Sequence, residues 1–456
     1  MCSGTISASA STEALPLRPP LADVLKVSRL ADGRRAYNGY IMTEEVLGTG
    51  RHGTVTLGQD GKSGDWVALK CVRRRTKSDR TKMLRRSHQQ QSDGTMGSPT
   101  PFMGSTEHSA RREISILRTT RHLNIVRLFE AIDDTRHDKI YLVMENVAGG
   151  PIQWQTCDEN PRPTLTLAQT RRIMRDVCCG LDYPQHALVL TKIGIIHRDI
   201  KPSNIVWSDN RTIAKIVDFG VAFFDASERK AAGKVYDPED DVTILNDPTL
   251  FPPHDLDRLI GTPKFIAPEI IARTGLATND SSCTLTGDDG DPKASTSDQP
   301  LRVGKAVDVW ALGVTFFCLL FGHTPFNVPH SEMQHAQRNQ FVLYQQIREV
   351  DWVPAHTMGV EGIPTGGRHP PDKASEGHAA MDLLDNLLRK DPRDRMSLDE
   401  LRRHPYLLQD IQDPRAWLRA TSSAPLPHVP PQAPQGSNKW VKRVSKNIAS
   451  LLHVAR

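Results

Sequence analysis

A pair of short motifs near the middle of the chain limits its fold more than anything else in it. Ile196-His197-Arg198-Asp199-Ile200-Lys201-Pro202-Ser203-Asn204 is followed, fourteen residues after Asn204, by Asp218-Phe219-Gly220. An H-R-D-x-x-x-x-N loop ahead of a D-F-G turn suits the passage of a phosphoryl group from a nucleotide to a hydroxyl. The attacking hydroxyl needs a carboxylate to orient it and accept its proton, and Asp199 is the candidate. Magnesium ions bridging nucleotide phosphates need hard oxygen ligands, which Asn204 and Asp218 can supply. Lys201 can reach the transferred group and offset its developing charge. The catalytic set is then Asp199, Lys201 and Asn204, with Asn204 and Asp218 as metal ligands. H-R-D alone recurs by chance. Both motifs together, separated by strand-like runs at 205–207 and 213–217, are specific. The competing reading is a dead relative that keeps the fold without the chemistry.

Upstream, Leu47-Gly48-Thr49-Gly50-Arg51-His52-Gly53-Thr54-Val55 fits G-x-G-x-x-G-x-V. Such glycines let a strand–turn–strand hairpin bring backbone N–H groups up to phosphate oxygens. A dinucleotide-binding fold would instead place a helix directly after the glycines. Here Thr54-Val55-Thr56-Leu57 and Trp66-Val67-Ala68-Leu69-Lys70 read as strands. Lys70 would bind the α- and β-phosphates of ATP, with Leu47, Gly48, Gly50, Gly53, Val55 and Ala68 completing that part of the site. Helical periodicity over 111–117 puts Glu113 forward as the ion-pair partner of Lys70, with Ile114 and Leu117 on the buried face. Strands at 125–128 and 140–144 lead into the expected hinge, where backbone groups of Glu145 and Val147 would meet adenine and Met144 would back the pocket.

At 456 residues the chain can bury one or two sizeable cores, and 32 prolines announce much loop or tail. A net charge of +5 is mild, and no basic–aromatic stripe suggests nucleic acid. Seven cysteines without paired zinc-ligand spacing fit a reducing compartment. No secretory signal is visible. The longest apolar run, 307–321, contains Asp308 and is too short to span a bilayer, so it reads as a buried helix. The cytoplasm is the default location, with the nucleus admissible besides.

Four regions divide the chain: a disordered arm at 1–39, a small lobe at 40–150, a large lobe at 151–408 and a tail at 409–456. The small lobe carries a basic, Ser/Gly/Gln-rich insertion near 73–109, a solvated loop or a substrate-docking element. A helix is expected over 166–181. Residues 184–192, opened by Pro184, interrupt the approach to the catalytic loop and read as an insertion or a gene-model error. Polar, acidic stretches at 221–257 and 277–300 read as loops. Asp308 is expected to brace the catalytic-loop backbone, and Arg395 to pair with Glu269. In the tail, Trp440, Val444, Ile448, Leu451 and Leu452 share a helical face beside Lys442, Arg443 and Lys446. Such a basic amphipathic segment suits calmodulin, a membrane surface or the catalytic domain itself.

Over roughly residues 40–408 these motifs resemble the eukaryotic protein kinases. Gly149-Gly150-Pro151-Ile152, Asp218-Phe219-Gly220-Val221-Ala222, 261–269 and 305–315 are most similar to the calcium/calmodulin-dependent protein kinase kinase group and the fungal relatives that activate the AMP-activated kinase. The resemblance implies an α+β, bilobal fold with a small β-rich lobe and a larger, mainly helical lobe. It implies a serine/threonine kinase that uses ATP and Mg2+ and phosphorylates the activation loops of other kinases. Calmodulin is an implied partner; nucleic acid is not. A kinase with non-kinase substrates, or a pseudokinase scaffold, would share the same fold. Arg198 belongs to the arginine class that binds a phosphorylated activation-segment residue, for which Thr243, Thr249, Thr262, Ser227 and Tyr236 offer hydroxyls. Alternatively, a fixed carboxylate from the cluster Glu239, Asp240, Asp241 and Asp247 could meet it.

Overall fold

The computed structural model describes residues 19–50, 53–76, 79, 104–182, 194–225, 247–273, 303–328 and 336–423. Most of the basic insertion, the stretch 184–192, the acidic cluster 239–241 with Ser227, Tyr236 and Thr243, the loop 277–300 and the amphipathic tail lie outside the described residues.

Alternating β-branched and aromatic residues build the small lobe. Strands β4 (Tyr40–Gly50) and β5 (Gly53–Asp60) form a hairpin in which Gly50 and Gly53 are register partners. Then β6 (Trp66–Arg73), β8 (Lys139–Glu145) and β7 (Leu128–Ile132) follow side by side, each antiparallel to its neighbour. One face of this sheet carries helix α1 (Thr106–Thr119), whose Ser105 cap accepts from the His108 N–H. On a second, smaller core, Val67, Leu69 and Val143 are covered by Tyr40, Met42 and Phe129.

Two boundaries differ from the sequence reading. Residues 19–39, assigned to a disordered arm, form β1 (Leu21–Ala22), β2 (Val27–Arg29) and β3 (Arg35–Tyr37). These extend the sheet to eight strands in the order β1-β7-β8-β6-β5-β4-β3-β2. Backbone pairing at the two sheet edges orders them, which no side-chain pattern in such short pieces announces. The strand expected at 125–128 begins only at Leu128. Residues 124–126 are engaged elsewhere: Ile216 N–H donates to Asn124 O and Val126 N–H to Ile216 O, tying this turn to the large lobe.

In the large lobe, helix α2 (Leu167–Leu181) starts at a capping box of Thr166 and Gln169. Short strands β9 (Gly150–Pro151), β11 (Ile205–Trp207) and β12 (Ala214–Ile216) form one sheet, and β10 (Ile195–Ile196) with β13 (Phe223–Phe224) another. At Gly149 a Cβ would overlap the carbonyl oxygens of Trp207 and Ser208, so only glycine lets the chain leave the hinge this close to β11. After α3 (Pro268–Arg273) comes α4 (Ala306–Phe321), in which every residue from Val307 onward is buried. It is the central post that the 307–321 run foretold. Around it stand α5 (Ala336–Glu349), α6 (Glu376–Leu387), α7 (Leu398–Arg402) and α8 (Pro405–Leu408). A two-stranded hairpin, β14 (Thr357–Met358) and β15 (Ile363–Pro364), completes this surround.

The large lobe does not close at 408. Helix α9 (Pro414–Ser423) packs Trp417 with Ile411 against Cys179 of α2, so part of the assigned tail belongs to the lobe. No helix among the described residues is long and apolar enough to cross a membrane.

Candidate active site

Period-2 alternation sorts the small-lobe residues. Val55 is the register partner of Lys70, and Ala68, two residues before Lys70, is the partner of Met144. Partners across an antiparallel pair share a face, so all four point to one side of the sheet. Gly48 faces Val55, and between Val46 and Gly48 the register slips by one residue. Leu47 is the residue left over, and a bulge re-aims such a side chain. Gly53 holds φ +137°, and a Cβ there would overlap the carbonyl oxygen of Cys71, so the third glycine of the motif is sterically required. Glu145 ends β8, pairing with Lys215, and Val147 follows two residues on, partly packed into the main core.

Charged residues of the two lobes converge. Lys70 Nζ donates to both Glu113 oxygens at 2.9 and 2.7 Å and to Asp218 Oδ1 at 2.9 Å. Burial would lower the Lys70 ammonium, but Glu113 and then Asp218 outweigh it and hold the group above its ordinary value. Asp199 is held from four sides. Thr262 N–H and Oγ1–H donate to its Oδ1 at 2.9 and 2.7 Å, while Lys201 Nζ and Asn204 Nδ2 reach Oδ2 at 2.8 and 3.1 Å. Lys201 also donates to Thr262 Oγ1 at 2.7 Å. Asn204 thus turns its amide nitrogen to Asp199 and keeps its carbonyl oxygen as a hard donor.

Asp218 and Arg198 both sit at φ +65°, a left-handed conformation that costs a branched backbone energy and is maintained by its surroundings. For Arg198 the support is visible. Asp308 accepts from the backbone N–H groups of His197 and Arg198 at 2.7 and 2.8 Å, as expected from the sequence. Burial pushes the Asp308 carboxyl above its usual range, and His197, Arg198 and their N–H groups offset this only in part. Phe219 is buried edge-on against the His197 ring, 4.8 Å between centroids. The pair Glu269–Arg395 is present as well, bidentate at 2.8 and 3.0 Å and buried on both sides.

The site can therefore do three things: grip phosphates through Lys70, hold a carboxylate ready for a hydroxyl proton, and offer oxygen ligands. Magnesium carries several ligands from water and substrate phosphates, needing only one or two from protein, so Asn204 and Asp218 fit it. No group of three or more His, Cys, Asp or Glu able to hold a metal occurs among the described residues.

Two residues escaped the sequence reading. Arg198 meets a carboxylate, but it is Asp255, not a member of the expected cluster: NH2 reaches Asp255 Oδ2 at 2.8 Å. Arg112, beside Glu113 on α1, reaches the same oxygen at 2.8 Å. Asp247, the one described member of the expected cluster, instead accepts from Thr249 N–H and Oγ1–H at 2.8 and 2.7 Å. Nothing in the stretch Pro252-Pro253-His254-Asp255 marks the aspartate as special; only its complete burial does.

The family model described as a protein kinase domain matches residues 41–283 and 295–407. Serine/threonine-protein kinase ssp1 of Schizosaccharomyces pombe is 34% identical over 397 residues, covering 87% of this chain and 47% of that protein. SNF1-activating kinase 1 of Saccharomyces cerevisiae is 29% identical over 393 residues, 83% of this chain and 28% of its own length. Serine/threonine-protein kinase TOS3 of the same species is 30% identical over 369 residues, covering 79% and 52%. The chain spans about half the length, or less, of these curated relatives.

Proposed function

Because the chain belongs to the protein kinase family, we propose that it is an ATP- and magnesium-dependent serine/threonine kinase whose substrates are other protein kinases, modified on their activation loops. One observation carries the catalytic half of this reading. Lys70 is bonded to Glu113 and Asp218 while Asp199 is held by Lys201, Asn204 and Thr262, so the parts required for transfer are already assembled. This also speaks against a pseudokinase.

The roles follow from position. Met144, Ala68, Val55 and Leu47 would enclose the adenine of the ATP substrate, with backbone groups of Glu145 and Val147 for hydrogen bonds. Gly48, Gly50 and Gly53 let backbone N–H groups approach the phosphates, and Lys70, fixed by Glu113, binds them. Asn204 and Asp218 would hold magnesium, which would supply positive charge to neutralise the phosphates when bound. Asp199 orients the incoming Ser or Thr hydroxyl and accepts its proton. Lys201, already beside Asp199 and Thr262, offsets the charge that develops on the transferred phosphoryl group.

The kinase-directed half rests on the relatives. SNF1-activating kinase 1 carries its target class in its name. An AMP-activated-kinase-like target is the corresponding substrate here, with calmodulin-dependent kinases as the second class. The deciding experiment incubates the protein with magnesium-ATP and a panel of inactive kinases, then maps the modified residues. Transfer to an activation-loop threonine is expected. Transfer only to non-kinase proteins would point to another branch of the family, and ATP binding without transfer to a scaffold.

A further inference from the structure

We propose that Lys264 selects protein substrates that carry an acidic side chain within about five residues of the phosphorylated Ser or Thr; this rests on the kinase reading of the site. Lys264 is the middle residue of a single 3-10 turn, Pro263–Phe265, which lies against α4 and α5. The turn follows Thr262 directly, and Thr262 donates from N–H and Oγ1–H to Asp199 Oδ1. A peptide that brings its hydroxyl to Asp199 is therefore brought beside this turn. Two residues of backbone and the length of a lysine side chain leave the Lys264 ammonium at most about 18 Å from the Asp199 carboxylate. That is the span of about five residues of extended chain.

The ammonium is aimed but not neutralised. Lys264 Nζ donates to Asn327 Oδ1 at 2.7 Å and to Thr324 Oγ1 at 3.2 Å, both uncharged acceptors. Those two side chains hold each other in place. Thr324 Oγ1–H donates to Asn327 Oδ1 at 2.6 Å, and Asn327 Nδ2 donates to Thr324 O at 2.7 Å. An ammonium has three donors, so one is left over. Other cations of this part of the chain are differently placed. Lys201 pairs with Asp199, Arg258 with Asp255, Arg273 with Asp257 and Arg395 with Glu269. Lys264 has no carboxylate partner among the described residues. Burial lowers its ammonium from the ordinary value, opposed only by Cys318, a thiol that burial itself keeps protonated. A cation partly stripped of water and given no counter-charge favours a carboxylate brought by the substrate and repels a basic side chain in the same place. A lysine that merely fastened the turn to 324–327 would serve every substrate alike, and that contrast separates the two roles.

The test uses peptides of one sequence with a central threonine. A single glutamate, alanine or lysine is walked from about five residues before the acceptor to about five after it. With magnesium-ATP and the full chain, kcat and KM are measured for each peptide. At one or more positions wild type should prefer glutamate over alanine by about fivefold or more in kcat/KM, chiefly through KM. In Lys264→Met that ratio should fall to about one, and in Lys264→Arg it should persist. In Lys264→Glu the preference should invert in favour of the lysine peptide. A wild type that discriminates nowhere along the walk would overturn the proposal. So would a Lys264→Met that loses activity on glutamate and alanine peptides in equal proportion. If Lys264→Met does not fold, Lys264→Glu carries the same test: inversion supports the selection, and a retained glutamate preference overturns it. Binding of the same peptides in the presence of an ATP analogue reads these ratios without chemistry. A wild type that binds and discriminates but transfers nothing would therefore defeat the kinase reading while the role of Lys264 is still decided.

Discussion

Asp199 illustrates how little freedom a single residue keeps here. Both of its oxygens are engaged, by Thr262 on one and by Lys201 and Asn204 on the other, so its carboxylate points one way before any substrate arrives. Asp199→Asn keeps the shape and most contacts but cannot accept a proton. Transfer should fall by about 10²–10⁴-fold with nucleotide affinity nearly unchanged, measured as kcat and as equilibrium binding of an ATP analogue. Unaltered turnover would remove Asp199 from its role. Asp176 on α2 offers a prediction about stability. Its Oδ2 accepts from Ala214 N–H at 2.8 Å, and burial pushes its carboxyl up to about 6. A folded value above the unfolded one means that the native state keeps a proton the unfolded chain has already lost. This group's contribution to stability is therefore present at about pH 4 and is lost as pH rises toward 6. Asp176→Asn should gain on wild type by about 2 kcal/mol between pH 4.5 and pH 7, read from urea unfolding at both; a constant difference would contradict the shifted carboxyl. Residues such as Asp199, Asn204 and Asp218 were legible because contiguous motifs carry them, whereas Asp255 and Arg112 acquire meaning only by meeting across 143 residues of chain (255 − 112).

At the level of elements, the segment joining β1 to β2 is unusual because four residues, 23–26, separate strands at opposite ends of one sheet. The sheet curls enough for them to meet. Asn38, in the turn from β3 to β4, donates from Nδ2 to Glu130 of β7 at 3.1 Å, and Leu25 N–H reaches Asp134 Oδ2 at 2.9 Å. Tyr37 stacks on Tyr141 with ring centroids 4.8 Å apart. Arg118, in the last turn of α1, donates from Nε to Pro19 O at 3.0 Å, so the same segment also steadies the helix that carries Glu113. Tyr37→Ala should cost about 1–2 kcal/mol in urea unfolding, through the lost ring stack on Tyr141. Since Tyr37 is remote from Asp199, the variant's kcat should change little at temperatures where it stays folded. A variant as stable as wild type would show that these strands decorate the lobe without closing it. Sequence pattern could not reveal them, because strands of two or three residues are too short for an alternation to register.

Across the whole molecule the long, periodic pieces were readable and the junctions were not. The 307–321 run gave α4 because it is apolar almost throughout and buried all round, and 166–181 gave α2 almost to the residue because it buries a face at helical spacing. The strand expected at 125 shifted since its backbone serves the joint between lobes, and α9 went unseen because its docking on Cys179 is a tertiary fact. Arg395 shows what such joints do at the largest scale. Its guanidinium pairs with Glu269 at the end of the activation segment and donates to the carbonyls of Ala306, Arg389 and Lys390, lying also over the Trp310 ring. One side chain thus fastens 269, the start of α4 and the turn after α6. Arg395→Met would strand the buried Glu269 carboxylate and leave three carbonyls without their donor, a loss of about 3–5 kcal/mol. In the double variant Glu269→Gln with Arg395→Met no charge is stranded, so part of that loss should return. Urea unfolding of the single and double variants measures both quantities. A single-variant loss below about 1 kcal/mol would show the pair to be incidental to the large lobe, and a double variant worse than the single would show that the carbonyl contacts, rather than the charge, hold these segments together.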